Sequence, residues 1–170
     1  MPDAVHKKLE KINLRRPDIM ETVQAQVMSH YRSELVEKLR ARGHQIVVPG
    51  KITIKLAKEF GFCYGVERAI DLAYAARGVF PDQPIYILGE IIHNPEVNDQ
   101  IRAMGIKFLT GSEKNADIND LKEGDIVIIP AFGTDIKTME QLKAKGVRFV
   151  DTTCGDVMSV WKRVRQYASE

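Results

Sequence analysis

Cysteine is scarce in this chain: its 170 residues contain two, Cys63 and Cys154. That scarcity excludes the disulfide framework of a small secreted domain. A single structural bridge is also the poorer reading, because thiols stay reduced in the reducing compartment where the chain is expected to reside. Neither CxxC nor HxxxH spacing occurs, so the usual zinc layouts are missing. No apolar run approaches the roughly 20 residues that cross a bilayer, and the N-terminus lacks the charged-then-apolar layout of a signal peptide. Lys and Arg number 25 against 23 Asp and Glu, a net charge of +2. Such a balance implies neither nucleic acid nor an anionic membrane as the main partner, so any cationic function must be local. What remains is the composition of a soluble globular protein.

Glycine too is missing from the first stretch, with none before Gly43. An interrupted helical pattern through Ile19, Val23, Val27, Tyr31, Leu35 and Leu39 reads as one long amphipathic helix, with Pro17-Asp18 as its start and Gly43 as its stop. Lys38, Arg40 and Arg42 suit the negative end of its dipole and a solvated face. His6, His30 and His44 have no partner at ligand spacing and read as ordinary surface or packing histidines. Residues 1–50 are therefore expected to form an N-terminal helical extension.

From Lys51 the pattern becomes strand, turn, helix, and repeats. Ile52, Ile54 and Leu56 alternate with polar residues; the turn Gly61-Phe62-Cys63-Tyr64-Gly65 follows, and Val66 to Ala76 has helical period. A second unit runs Ile85 to Leu88, then a loop to Asn94 and a helix from Pro95, with cap and first-turn chemistry to match. After a short strand at Lys107 to Leu109, a third unit has Ile126 to Ile129, the loop Pro130 to Thr134, and a helix ending near Gly146. The fourth has Val147 to Val150, the loop Asp151-Thr152-Thr153-Cys154-Gly155, and an amphipathic segment with Val157, Val160, Trp161, Val164 and Tyr167.

The alternation predicts an α/β fold with a parallel sheet covered on both faces and joined by right-handed crossovers. Every strand-to-helix loop of such a sheet lies at its carboxyl edge, where ligands bind. Cys63, His93 with Asn94, Phe132 to Thr134, and Thr152 to Cys154 are all expected there.

Cys63 and Cys154 each precede a helix, where the first amides favour a thiolate. Such a sulfur serves as nucleophile, redox thiol or metal ligand; the bland alternative is a small buried hydrophobe. An iron–sulfur cluster needs thiolates from converging loops, whatever their spacing, though two sulfurs are too few to hold one well. His93 either stabilises its turn or joins the amides of the following helix in holding a phosphate. Thr134, Thr152 and Thr153 offer hydroxyls to the same oxygens or cap their own helices, and capping is expected of at least one.

Four runs carry a resemblance: Gly-Phe-Cys-Tyr-Gly-Val-Glu-Arg-Ala at 61–69, Glu90-Ile91-Ile92-His93-Asn94-Pro95, Pro130-Ala131-Phe132-Gly133, and Asp151-Thr152-Thr153-Cys154. In order and in placement they resemble the motifs of the 4-hydroxy-3-methylbut-2-enyl diphosphate reductase (LytB) family, from about Lys51 onwards. The N-terminal segment is similar to the extension of the plant and cyanobacterial branch.

The resemblance implies an oxidoreductase of the methylerythritol phosphate route to isoprenoids, with a 4Fe-4S cluster held by three cysteines and one iron open to the substrate's hydroxyl oxygen. Two electrons, from a donor of ferredoxin or flavodoxin type, and protons remove that hydroxyl as water, giving isopentenyl and dimethylallyl diphosphate. It makes Cys63 and Cys154 cluster ligands, His93 a ligand of the diphosphate, and Ile92 and Val157 apolar contacts near the substrate. Phe132 stands where many bacterial members have histidine, which removes one hydrogen bond to the substrate; the plant-like branch also has phenylalanine. The family's third cysteine and catalytic glutamate lie in later domains, beyond Glu170, so no catalytic residue is expected in this chain. Glu170 itself is not matched to that glutamate. Residues 51–153 would then be the first of three pseudo-symmetric α/β domains and 154–170 a helix leading into the second, an incomplete part that is inactive alone. The implied location is cytoplasmic, or the plastid stroma for a plant-like source. Two rivals stand beside this: a stand-alone phosphate- or nucleotide-binding module with inert cysteines, and a thiol switch, which needs the two cysteine Cα atoms within about 7 Å.

Overall fold

The computed structural model describes residues 10–168. Its centre is a five-stranded parallel sheet in the order β1 (Glu10–Lys11), β7 (Arg148–Asp151), β6 (Ile126–Ile129), β4 (Ile85–Ile87) and β5 (Lys107–Phe108). β4 and β6 have apolar residues at successive positions because both their faces are covered. Ile85, Ile87, Ile126 and Ile128 join one core with Val150, Leu14, Val23, and residues of α3 (Tyr64–Val79) and α4 (Pro95–Ala103). Tyr86, Leu88, Val127 and Ile129 point the other way, into a second core with Leu109, Leu121, Val147 and Leu142 of α5 (Ile136–Lys145). The period of two along each strand thus divides its side chains between two layers.

Helix boundaries follow local chemistry. Asn94 caps α4, its side chain accepting from the Val97 amide at 3.2 Å, and Pro95 occupies the first helical position, where its missing N–H costs nothing. Gly146 ends α5 in the left-handed region, φ 68°. α6 (Gly155–Tyr167) follows β7. The helix expected over 154–170 is thus present from Gly155 to Tyr167, and the last residue of that expected span, Glu170, lies outside the described residues.

Two expectations are corrected. The long N-terminal helix is two helices, α1 (Pro17–Tyr31) and α2 (Glu34–Ala41), because Arg32 and Ser33 adopt extended backbone and Ser33 accepts from the Val36 amide to start α2 anew. The run from Lys51 does form a strand, β3 (Ile52–Lys55), but outside the parallel sheet: it pairs antiparallel with β2 (Gln45–Val48) in a separate hairpin. Ile52 and Ile54 are 61% and 50% exposed, so their alternation marks a strand without marking a face of the main core. The strand that does edge the sheet before α1 is β1, two residues long and too short for any periodicity. α1 packs against α3, with Val23 in the core and the His30 ring nitrogen Nδ1 2.7 Å from the Tyr74 hydroxyl, so His30, expected as a surface or packing histidine, is an exposed residue that packs through its ring. His6 lies outside the described residues. No helix among the described residues is long and apolar enough to cross a membrane.

Candidate functional site

Cys63 and Cys154 are the residues that open α3 and α6. Each has extended backbone (φ −75° and −62°) and neither side chain caps its own helix, so both sulfurs are left for other partners. Both thiols are free, Cys63 exposed and Cys154 half-buried. The amide of Asp156, in the first turn of α6, holds the Cys154 thiol below the ordinary cysteine range, aided by the Tyr64 hydroxyl, 3.7 Å from the sulfur. The same contact, with Asp156, pushes the Tyr64 phenol up to about 12.

The two helix starts touch. A Cβ placed on Gly65 would lie 2.6 Å from Cys154 Sγ and 3.1 Å from its Cβ, so only glycine lets α3 pass this close. Arg68, one turn further along α3, donates to the carbonyls of Asp151 (3.2 Å), Thr152 (3.0 Å) and Thr153 (2.8 Å). One guanidinium thereby shapes the loop that delivers Cys154.

Backbone bonds link the other loops to it in series. The Cys154 amide donates to the Ala131 carbonyl at 2.8 Å, and the Ala131 amide donates to the Ile91 carbonyl at 3.4 Å. Thr152 Oγ1 donates to the Ile129 carbonyl at 2.5 Å, and Thr153 is buried. Neither therefore caps a helix; Asp135, not Thr134, caps α5, through the Thr138 amide. The threonine-capping expectation fails because a carboxylate, the stronger acceptor, stands one residue later.

Beside this edge opens a cavity of about 1170 Å³, lined among others by Glu90, His93, Ser112, Phe132, Thr134 and Trp161. Trp161 of α6 lies against Gly133, where a Cβ would come within 2.6 Å of the indole Cζ2; with φ 80° at Gly133, that approach too requires glycine. His93 Nδ1 is 2.8 Å from Glu90 Oε2, and the Ser112 hydroxyl donates to Glu90 Oε1 at 2.8 Å. Ser112 and then His93 hold the Glu90 carboxyl below the usual range, so it is charged at neutral pH. The imidazole stacks on Phe132, centroids 5.5 Å apart and planes 6° apart.

Of the five site residues expected from sequence, Cys63 and Cys154 share the junction of α3 and α6, and His93 faces the cavity. Ile92 is half-buried against the core and Val157 half-buried on α6; neither lines the cavity. Glu90 and Ser112 were not singled out by sequence. Glu90 had a signal, a carboxylate three residues before a histidine in one loop, whereas Ser112 arrives from the loop after β5 and had none. No group of three or more His, Cys, Asp or Glu among the described residues converges on one metal position. The donors present still fit part of an iron–sulfur site: two thiols at helix N-termini, one of them held toward thiolate.

Residues 54–170 match the family model described as "LytB protein". The 4-hydroxy-3-methylbut-2-enyl diphosphate reductase of Nostoc punctiforme is 44% identical over 145 residues, which are 85% of this chain and 36% of that protein. The enzyme of the same name from a Synechococcus strain is 45% identical over 139 residues, 82% of this chain and 35% of that one. The chain thus spans little more than a third of these relatives' length. Among solved structures, one of (E)-4-hydroxy-3-methylbut-2-enyl diphosphate reductase, the terminal enzyme of the non-mevalonate pathway, is similar with a TM-score of 0.53 and 35% identity, over 68% of this chain and 38% of that one. The Plasmodium falciparum reductase is similar with a TM-score of 0.58 and 32% identity, over 66% of this chain and 33% of that one. With its family match covering well over half its length, the chain belongs to the LytB protein family.

Proposed function

We propose that this chain forms the part of a 4-hydroxy-3-methylbut-2-enyl diphosphate reductase that supplies two cluster thiolates and one wall of the diphosphate site. The observation that carries the reading is the contact between the starts of α3 and α6, where Gly65 admits Cys154 two residues from Cys63. Cys63 and Cys154 would hold two corners of a 4Fe-4S cluster. With two cysteines in the sequence, a third thiolate would come from outside these 170 residues, and by the family resemblance so would the catalytic glutamate. When bound, such a cluster supplies electrons, from a ferredoxin- or flavodoxin-type donor, and Lewis acidity at an open iron.

The chain's own residues do the rest of the work at this edge. Amides at the N-terminus of α6 and the Tyr64 hydroxyl favour the anionic form of the Cys154 sulfur, the form that ligates metal. His93 lines the cavity and its Nδ1 is taken by Glu90, so a diphosphate oxygen would be met by Nε2–H of the protonated ring. Asp135 caps α5 through the Thr138 amide and puts a carboxylate at that helix start, which disfavours it as the anion's seat. The Phe132 face and Trp161 keep one side of the cavity apolar, suited to a five-carbon chain. On this reading, hydroxyl removal and the final protonation would need groups beyond these residues, and the isolated chain is expected to be inactive.

Anaerobic reconstitution of residues 1–170 with iron and sulfide tests the incompleteness. No stable 4Fe-4S cluster and no turnover are expected; a stable cluster with turnover from this chain alone would overturn the reading.

A further inference from the structure

A histidine that binds an anion from an exposed loop needs its ring held still and the correct nitrogen turned outward. His93 is 82% exposed at its side chain, whereas its partner Glu90 is 20% exposed. An isolated exposed pair of this kind contributes little and wanders. Here the less exposed member is fixed at both oxygens, Oε1 by the Ser112 hydroxyl and Oε2 by the ring, each at 2.8 Å. Ser112 comes from the loop after β5, and that loop is itself tied to the end of β4 by the hydrogen bond of Thr110 Oγ1 to the Leu88 carbonyl. The flat face of the ring rests on Phe132, from a third loop, with planes 6° apart. Glu90, His93, Ser112 and Phe132 all line the one cavity.

We infer that Glu90, steadied by Ser112, and Phe132 are positioning residues for His93: they commit its Nδ1–H to the carboxylate and present Nε2 into the cavity. A carboxylate on one ring nitrogen fixes the proton there and leaves the other nitrogen for the ligand. In the imidazolium form the same carboxylate keeps Nδ1–H, and Nε2–H is the donor left for an oxyanion. Phe132 supplies a stacking surface that limits rotation of the ring. The consequence for binding rests on the reading of His93 as a diphosphate ligand; the placement of the ring does not.

Long-range nitrogen–proton spectra of the imidazoles in the full chain test the placement, recorded at a pH where the rings are neutral, with His93→Ala identifying the His93 signals. His93 is expected as the Nδ1–H tautomer, reverting to Nε2–H in Glu90→Ala. A wild-type ring already in the Nε2–H form, or one indifferent to Glu90→Ala, would overturn the inference. Calorimetric titration with inorganic pyrophosphate separates the two levels. Binding is expected to be lost in His93→Ala and weakened about 10-fold in Glu90→Ala, the scale of such supporting contacts. Pyrophosphate affinity unchanged in His93→Ala, with the tautomer switch present, would remove the diphosphate reading and leave the positioning of the ring established.

Discussion

Gly65 and Cys154 are 89 residues apart in sequence and in contact in the fold: a methyl group on Gly65 would stand 2.6 Å from the Cys154 sulfur. Because Gly65 lies in the first turn of the helix that Cys63 opens, this one close approach brings the two cysteine-bearing helix starts together.

Gly65→Ala should therefore do two things. The added methyl must displace the Cys154 sulfur or separate α3 from α6, at a cost of about 1–3 kcal/mol, the range for overpacking. Urea unfolding measures the first effect. The second is a slower or faster alkylation of Cys154 in a Cys63→Ser background; an unchanged rate would show that the sulfur does not depend on the gap.

Trp161 is the chain's single tryptophan, and it reports the second close approach. Gly133→Ala combines a positive φ with a Cβ inside the indole's space, so the ring is expected to leave the cavity wall. Its fluorescence should shift to the red and become more accessible to quenchers. Emission identical to wild type would contradict the packing described.

How much of this was legible beforehand depends on whether the signal was local. Cys63 and Cys154 could be placed at helix starts because strand, turn and helix follow one another within a few residues around each. Asn94-Pro95 announced α4 by cap chemistry alone, and the alternating units announced the parallel sheet. The alternation of Ile52 and Ile54 identified a strand but could not identify its partner, because pairing with Gln45–Val48 is a choice between sheets. Arg32-Ser33 broke a helix whose apolar period runs on through the break. The Ser112–Glu90–His93 relay joins two loops by side chains, and the Phe132 stack depends on a ring angle, neither of which has a sequence period.

Acid should loosen the Cys154 loop through Asp151. Burial pushes this carboxyl up, but the Thr153 amide at 3.0 Å and Lys11 at 2.9 Å more than offset it, and the net shift is below the ordinary 3.8. A folded-state value below the unfolded one contributes stability that is fully present above the unfolded value and is lost as pH falls through the folded one. Asp151→Asn should thus be less stable than wild type by about 1–2 kcal/mol near neutrality, with the gap closing as the pH drops below about 3.8. Urea unfolding at both ends of that window measures it; a gap independent of pH would exclude Asp151 as its source.

The proposal that Cys63 and Cys154 ligate one cluster is tested most directly by the iron content of a chimaera. Residues 1–170 joined to the sequence that follows the matched segment in the Nostoc punctiforme relative, reconstituted anaerobically, should hold about four iron and four sulfide per chain. Cys63→Ser and Cys154→Ser should each lower that content sharply and abolish reduction of 4-hydroxy-3-methylbut-2-enyl diphosphate. Full iron and sulfide content after either substitution would contradict the account.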